Sequence, residues 1–243
     1  MILAGFLSDE EGAVLSNKKF LIILTISLIY LTFSLACDPL AFRLINLFGI
    51  TISGSVMLYP ALYPMLDMLT RLIGKHLTIA IIIAFHFCDF LYSYALYLVN
   101  KIAPPISFHT LASYNTVITP IPRMFWAGII GAIAAGIIEV LIYATIQRKI
   151  KNFFFSSLIA TAIVVVGHGI PTDYFAFKNI FPEQVWRLVF CNISMNIVIL
   201  TVYITLASLA MKVIGKKYCV SLEKDKEMGS AEALDNIMEP SQA

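Results

Sequence analysis

Glu139 stands about two-thirds along Met124 to Ile146, an apolar run with no other charge and no basic residue within a turn. A charged side chain near the middle of a bilayer costs about 2.5–3.5 kcal/mol, so it faces a cavity, a partner or the interface. A functional role is therefore the reading favoured for Glu139. Asp67 belongs to a second pattern. On a helix Tyr59, Tyr63, Asp67 and Thr70 or Arg71 follow at successive i, i+4 and i+3 steps, which lines rings and a carboxylate along one face. Asp67 and Arg71 read equally as an i, i+4 ion pair at a membrane interface, the acid preceding the base in the favourable order.

Three further stripes carry polar groups through apolar runs: His86, Asp89, Ser93 and Tyr97; Ser157, Thr161, His168 and Thr172; and Asn192, Asn196 and Tyr203. His86 with Asp89 reads either as an internal pair or as a ligand or proton site. Ser157, Thr161, Asn192 and Asn196 read first as helix glue, bonding across helices or to their own backbone. Together the stripes give five of the six apolar runs an inward polar face, more than packing needs. The chemistry expected is non-covalent retention of a polar molecule inside a bundle. There is no Walker lysine loop, GxSxG or HExxH, and His76, His86, His109 and His168 lack ligand spacing. Cys37, Cys88, Cys191 and Cys219 are scattered without a CxxC and read as small hydrophobes. No catalytic residue, metal or cofactor is expected, and the chain is read as not an enzyme.

The elements that position these groups follow from composition. The 243 residues are 59% hydrophobic and 13% charged, with mean hydropathy +0.85, too little polar surface for a soluble globule. A net charge of +2, spread between the apolar runs, argues against a nucleic-acid surface. The chain reads as an all-α integral membrane protein, a bundle of six transmembrane helices. The expected spans are Phe20 to Cys37, Leu44 to Leu66 continuing to about Gly74, Leu77 to Asn100, Met124 to Ile146, Phe153 to Thr172 and Leu188 to Met211. A proline-punctuated loop with Pro104, Pro105, Pro120 and Pro122 is expected between the third and fourth.

Lys18, Lys19, Arg71, Lys75, Arg148, Lys149, Lys151, Lys212, Lys216 and Lys217 fall on one side of such a bundle. Arg43, Lys101, Arg123, Lys178 and Arg187 fall on the other. The first group is twice as large, so the positive-inside rule makes that side, and both termini, cytoplasmic. Residues 1–19 form a cytoplasmic segment, not a cleavable signal, because Asp9, Glu10 and Glu11 follow a start without a basic region. Residues 20–215 form the transmembrane domain, and the polar tail 216–243 is expected to be disordered. Gly128, Ala132 and Gly136 make a small-xxx-small stripe, read as close helix packing and as a route to a homo-oligomer.

In chain order, several of these residues resemble the vitamin uptake transporter family, also called the queuosine precursor transporters. Asp38-Pro-Leu-Ala41-Phe-Arg43, Phe48-Gly49, Gly54, Tyr59-Pro60, Asp67, Thr70 and Gly74-Lys75 resemble the family run that ends in DxxTExxGK. Pro122-Arg123-Met124, Ala127 and Glu139 resemble its PRI, A and acidic residue at the same spacing. Arg71 stands where the family has Glu, Asp38 where it has Asn and Arg43 where it has Lys; its usual helix-five aspartate is missing near Val164.

The resemblance implies a bacterial inner-membrane importer of a 7-deazaguanine, such as 7-cyano-7-deazaguanine, its aminomethyl form or queuine, for queuosine in tRNA. A guanine-like edge offers two parallel donors that a carboxylate accepts bidentately, and its faces stack on aromatic rings. The expected substrate-binding set is Glu139, Asp67, Tyr59, Tyr63, Tyr97, His86, Asp89, His168, Asn192 and Asn196, with Phe85 as a further stacking ring. Arg71, Arg123 and Arg43 are expected to gate or support it. The alternatives are the substrate-binding S component of an energy-coupling-factor transporter, which needs a separate motor, and a non-catalytic membrane scaffold.

Overall fold

A computed structural model describes residues 17–41, 43–47, 49–105, 109–179 and 181–238. Among the described residues, seven helices carry the fold: α1 (Asn17–Ala41), α2 (Tyr59–Ile73), α3 (Lys75–Asn100), α4 (Leu111–Ile118), α5 (Pro120–Lys149), α6 (Phe153–Phe177) and α7 (Val185–Met238). Five contain stretches long and apolar enough to cross a membrane: Lys19–Ala41, Lys75–Asn100, Ile129–Lys149, Phe153–Phe175 and Val185–Gly215. Their outward faces are apolar, as at Leu21, Leu28, Ile83, Phe87, Ile130, Phe190 and Leu206, while Asp67, Glu139, Ser157, Thr161 and Asn192 are buried. This inside-out distribution is that of a multi-pass membrane protein.

The second expected span is corrected. Leu44 to Gly74 is not one helix: β1 (Leu44–Leu47) and β2 (Ile50–Ser53) pair antiparallel, a 3-10 turn follows at Gly54–Met57, and only then does α2 begin. Ile45, Ile50, Thr51 and Ile52 are β-branched and fit a ladder better than a helix. Gly49 has φ 82°, a turn conformation open to glycine, and its N–H is held by Asn46 Oδ1 at 2.9 Å. Gly54 serves a different need. Its N–H reaches Arg43 O at 2.7 Å, and a Cβ there would lie 3.0 Å from that oxygen and 3.1 Å from Leu40 O.

Non-helical backbone at membrane depth persists only where protein or a cavity satisfies it. Here Asn192 Oδ1 on α7 accepts the Ser53 N–H at 3.0 Å, and Ser53 Oγ donates to Ala41 O at 2.8 Å. The Tyr203 hydroxyl, also on α7, donates to Met57 O at 2.8 Å. The loop before the fourth expected span is shorter than its prolines suggest: α4 occupies part of it, and Pro120 and Pro122 lie in the first turn of α5, where a missing N–H costs nothing.

α2 has 15 residues, roughly 22 Å of helix, short of the ~30 Å of a hydrocarbon core. It is instead the central element, in contact with α1, α3, α5, α6 and α7. Leu62 and Leu66 pack with Tyr30, Ile82 and Val140; Met68 and Leu69 pack with Ile23, Tyr143, Phe153, Ala160, Ala207 and Met211. The second cluster fills the end of the bundle that carries Arg71, Lys75 and Lys149. Ala132 and Gly136 of the small-residue stripe turn inward: Ala132 lines a cavity, and Gly136 faces Ile82 of α3, which a Cβ would meet at 3.4 Å. The side chain at position 128, and those of residues 216–238 where a disordered tail is expected, lie outside the described set, as do residues 1–16.

Candidate functional site

Between the helices, toward the end opposite the Met68–Phe153 cluster, lies a cavity of about 190 Å³. Each wall is set by helical spacing. Ser34, Asp38 and Ala41 face it from α1, Tyr59 and Tyr63 from α2, His86 and Asp89 from α3, Phe125, Ile129 and Ala132 from α5. From α6 come Val165, His168, Gly169, Thr172, Asp173 and Phe177, and from α7 Asn192 and Asn196.

Most of the expected site residues meet here. Tyr59 and Tyr63 are set edge to face, ring centres 5.6 Å apart, and the Tyr63 hydroxyl donates to that of Tyr59 at 3.0 Å. His86 Nδ1 lies 2.8 Å from Ile82 O; a carbonyl only accepts, so Nδ1 carries the proton and Nε2 is left for the cavity. His168 Nε2 lies 3.1 Å from Thr172 Oγ1. Asn192 is tied at both ends of its amide: its Nδ2 donates to Asp173 Oδ2 at 3.0 Å while its Oδ1 holds Ser53. It orients an acid and the hairpin, with one N–H left over in the cavity wall. Asn196 differs: its Oδ1 is buried without a partner from the described residues.

Two acids of the cavity stand outside the expected binding set. Asp38 enters the sequence reading only through the family resemblance, and Asp173 lies one residue past the expected end of its helix. Helical spacing is the signal that finds both, since Asp38 is four residues after Ser34 and Asp173 four after Gly169. Asp38 and Asp89 face each other at hydrogen-bonding reach, and Asp38 Oδ2 and Asp89 Oδ1 are buried without donors from the described residues.

Other expected residues lie elsewhere. Asp67 and Glu139 do not line the cavity. They sit behind Tyr63, wholly buried, where Ser157 Oγ donates to Asp67 Oδ2 at 2.5 Å and Thr161 Oγ1 donates to Glu139 Oε1 at 2.8 Å. Asp67 does not pair with Arg71, whose guanidinium lies 5.9 Å from the centre of the Phe153 ring. Tyr97 belongs to the surface, under Lys101 Nζ at 5.0 Å from its ring centre. Phe85 stacks on Tyr30, ring centres 4.7 Å apart. Arg43 is exposed and contributes its carbonyl to Gly54; the Arg123 side chain lies outside the described set. Among the described residues no three His, Cys, Asp or Glu side chains are grouped to hold a metal ion.

A cavity with acids, paired tyrosines and amides, walled by apolar helices, can hold a flat polar molecule by hydrogen bonds and ring contacts. The family model described as "putative vitamin uptake transporter" matches residues 53–212, a span that runs from the end of the hairpin to α7. No curated protein and no solved structure matches the chain.

Proposed function

We propose that this chain, which belongs to the vitamin uptake transporter family, imports a 7-deazaguanine precursor of queuosine across the bacterial inner membrane. The observation that carries the reading is the meeting of Asp89, Asp38 and Asp173 with Tyr59, Tyr63 and Asn196 around one cavity. A deazaguanine presents two adjacent donors on one edge and a carbonyl beside them. Asp89 is the acceptor of the donor edge, the Asn196 amide serves the polar groups alongside, and Phe125 and Phe177 supply apolar ring surface.

The way in and the way out differ. On the positive-inside assignment the cavity faces away from the cytoplasm, and the Met68, Leu69, Tyr143, Phe153 and Met211 cluster closes the cytoplasmic end. Arg71 over Phe153 then borders the gate that parts to release substrate. Release from the outward cavity to the inside requires that cluster to move while the site is held.

The test is queuosine in tRNA from cells unable to make its precursors. Supplied 7-cyano-7-deazaguanine should restore the modification only when this chain is present. Asp89→Asn should reduce restoration roughly thirtyfold at limiting precursor, as expected for loss of about 2 kcal/mol from a charge-assisted bond. No restoration by the natural chain would remove the substrate reading. Uptake by the purified chain alone in liposomes separates a self-sufficient transporter from the binding component of a motor-driven one.

A further inference from the structure

Ser157 and Thr161 stand one turn apart on α6, so side chains there begin about 5–6 Å from each other on one face. Ser157 holds Asp67 from α2, and Thr161 holds Glu139 from α5. Two carboxyls from different helices are thereby brought against one turn of a third, at hydrogen-bonding reach of each other. Their remaining oxygens, Asp67 Oδ1 and Glu139 Oε2, are buried and receive no donor from the described residues. All four side chains are 0% exposed.

Among the described residues, the surroundings supply no compensating cation. The titratable groups near the pair are Tyr63 on α2 and Tyr143 on α5, both hydroxyls, with Tyr30 of α1 next to Tyr63. Arg71, one turn beyond Asp67, lies over Phe153 and beside Tyr143, and pairs with neither carboxyl. α6 contributes only Ser157 and Thr161, α3 contributes Ile82 against Gly136, and the α7 hydroxyl of Tyr203 is spent on Met57 O. Two ionised carboxylates in contact, without a cation and out of water, repel strongly. One proton converts the contact between two acceptors into a charge-assisted hydrogen bond.

We propose that Asp67 and Glu139 hold a single proton between Asp67 Oδ1 and Glu139 Oε2, and that this pair is the site coupling uptake to a proton gradient. The coupling half rests on the uptake reading above; the proton half does not. The position fits the role. Asp67 lies one turn after Tyr63 in the cavity wall and directly before Met68 and Leu69 in the closing cluster. Tyr63, hydrogen-bonded to Tyr59, stands between the pair and the cavity, which both rings line. The proton joins the pair from the cavity side and leaves when the cluster beneath it parts.

Infrared difference spectroscopy on the full chain in lipid nanodiscs at neutral pH tests the first half. Against the Asp67→Asn, Glu139→Gln double variant, the natural chain should show one extra deuterium-sensitive protonated-carboxyl band and one extra carboxylate band. Each single variant has one carboxyl fewer and should lose one of these two bands while keeping the other; these variants decide the matter if the double one does not fold. Two carboxylates and no protonated band, two protonated bands, or a protonated band removed by sodium at constant ionic strength would each overturn the proposal. In liposomes, one coupled proton predicts accumulation of 7-cyano-7-deazaguanine that rises up to about tenfold per imposed pH unit, and Glu139→Gln should abolish that response. Accumulation by the natural chain that ignores the gradient overturns the coupling. No uptake of this compound overturns the substrate reading, while the spectra still decide the proton site.

Discussion

Asn192 on α7 accepts the Ser53 N–H with one end of its amide and donates to Asp173 Oδ2 with the other, so one side chain ties the hairpin to the acid of the cavity wall. Asn192→Leu would leave the buried Ser53 N–H and part of Asp173 without partners. Each orphaned group costs about 1–3 kcal/mol, which should appear as a lower unfolding midpoint in detergent. Asn192→Asp should keep the Ser53 bond yet set a second carboxylate on Asp173, and cost binding more than stability.

The Tyr63 hydroxyl offers a milder test. Tyr63→Phe keeps the edge-to-face ring contact and removes only the bond to Tyr59, so stability should fall by about 1 kcal/mol or less. If the two hydroxyls serve the transported molecule, uptake should fall well beyond that. Uptake at limiting precursor compared with unfolding in detergent separates the two effects.

Gly54 approaches Arg43 O and Leu40 O too closely for a side chain. The atoms it would meet are backbone, which yields less than the end of a side chain. Gly54→Ala should open the closure of the hairpin and cost about 1–3 kcal/mol, read as lower thermal stability and faster proteolysis near residues 44–54. Gly49→Ala meets no atom within 4 Å but is held at φ 82°, so its penalty is conformational and nearer ~1 kcal/mol.

At Gly136 the neighbour is the Ile82 side chain, whose nearest carbon lies 3.4 Å from where an added methyl would sit. Gly136→Ala should be tolerated to within about 1 kcal/mol, because a helix former replaces glycine and Ile82 can shift. Gly136→Leu should push α3 from α5 at the level of Glu139 and cost several times more. Comparing the two by thermal unfolding checks whether this face is packed inside the chain.

Leu69 is fully buried at the centre of the closing cluster. Leu69→Ala should cost about 2–5 kcal/mol. Because it loosens the closed end, it should also raise labelling of a cysteine introduced at Ala160 by a reagent supplied from the side that carries Arg71 and Lys75.

The helices and their polar stripes are legible because both depend on local information. Hydropathy over some twenty residues needs no partner, and i, i+4 spacing puts Ser157 with Thr161 and Tyr59 with Tyr63 on one face whatever lies opposite. The second span escapes a sequence reading for the same reason. Hydropathy cannot tell a β-branched apolar run in a helix from one in a hairpin, and the group that satisfies the end of the hairpin, Asn192, lies 139 residues away.

From the order of residues alone follow the membrane crossing, the polar interior and the pattern of one transporter family. The packing of the helices was needed to sort the polar groups into those that share a cavity and those that meet behind it. Asp38 and Asp173 join the cavity, whereas Asp67 and Glu139 leave it for each other. Spacing along one helix sets the direction in which a side chain leaves it, but its partner is chosen by the helix that packs opposite.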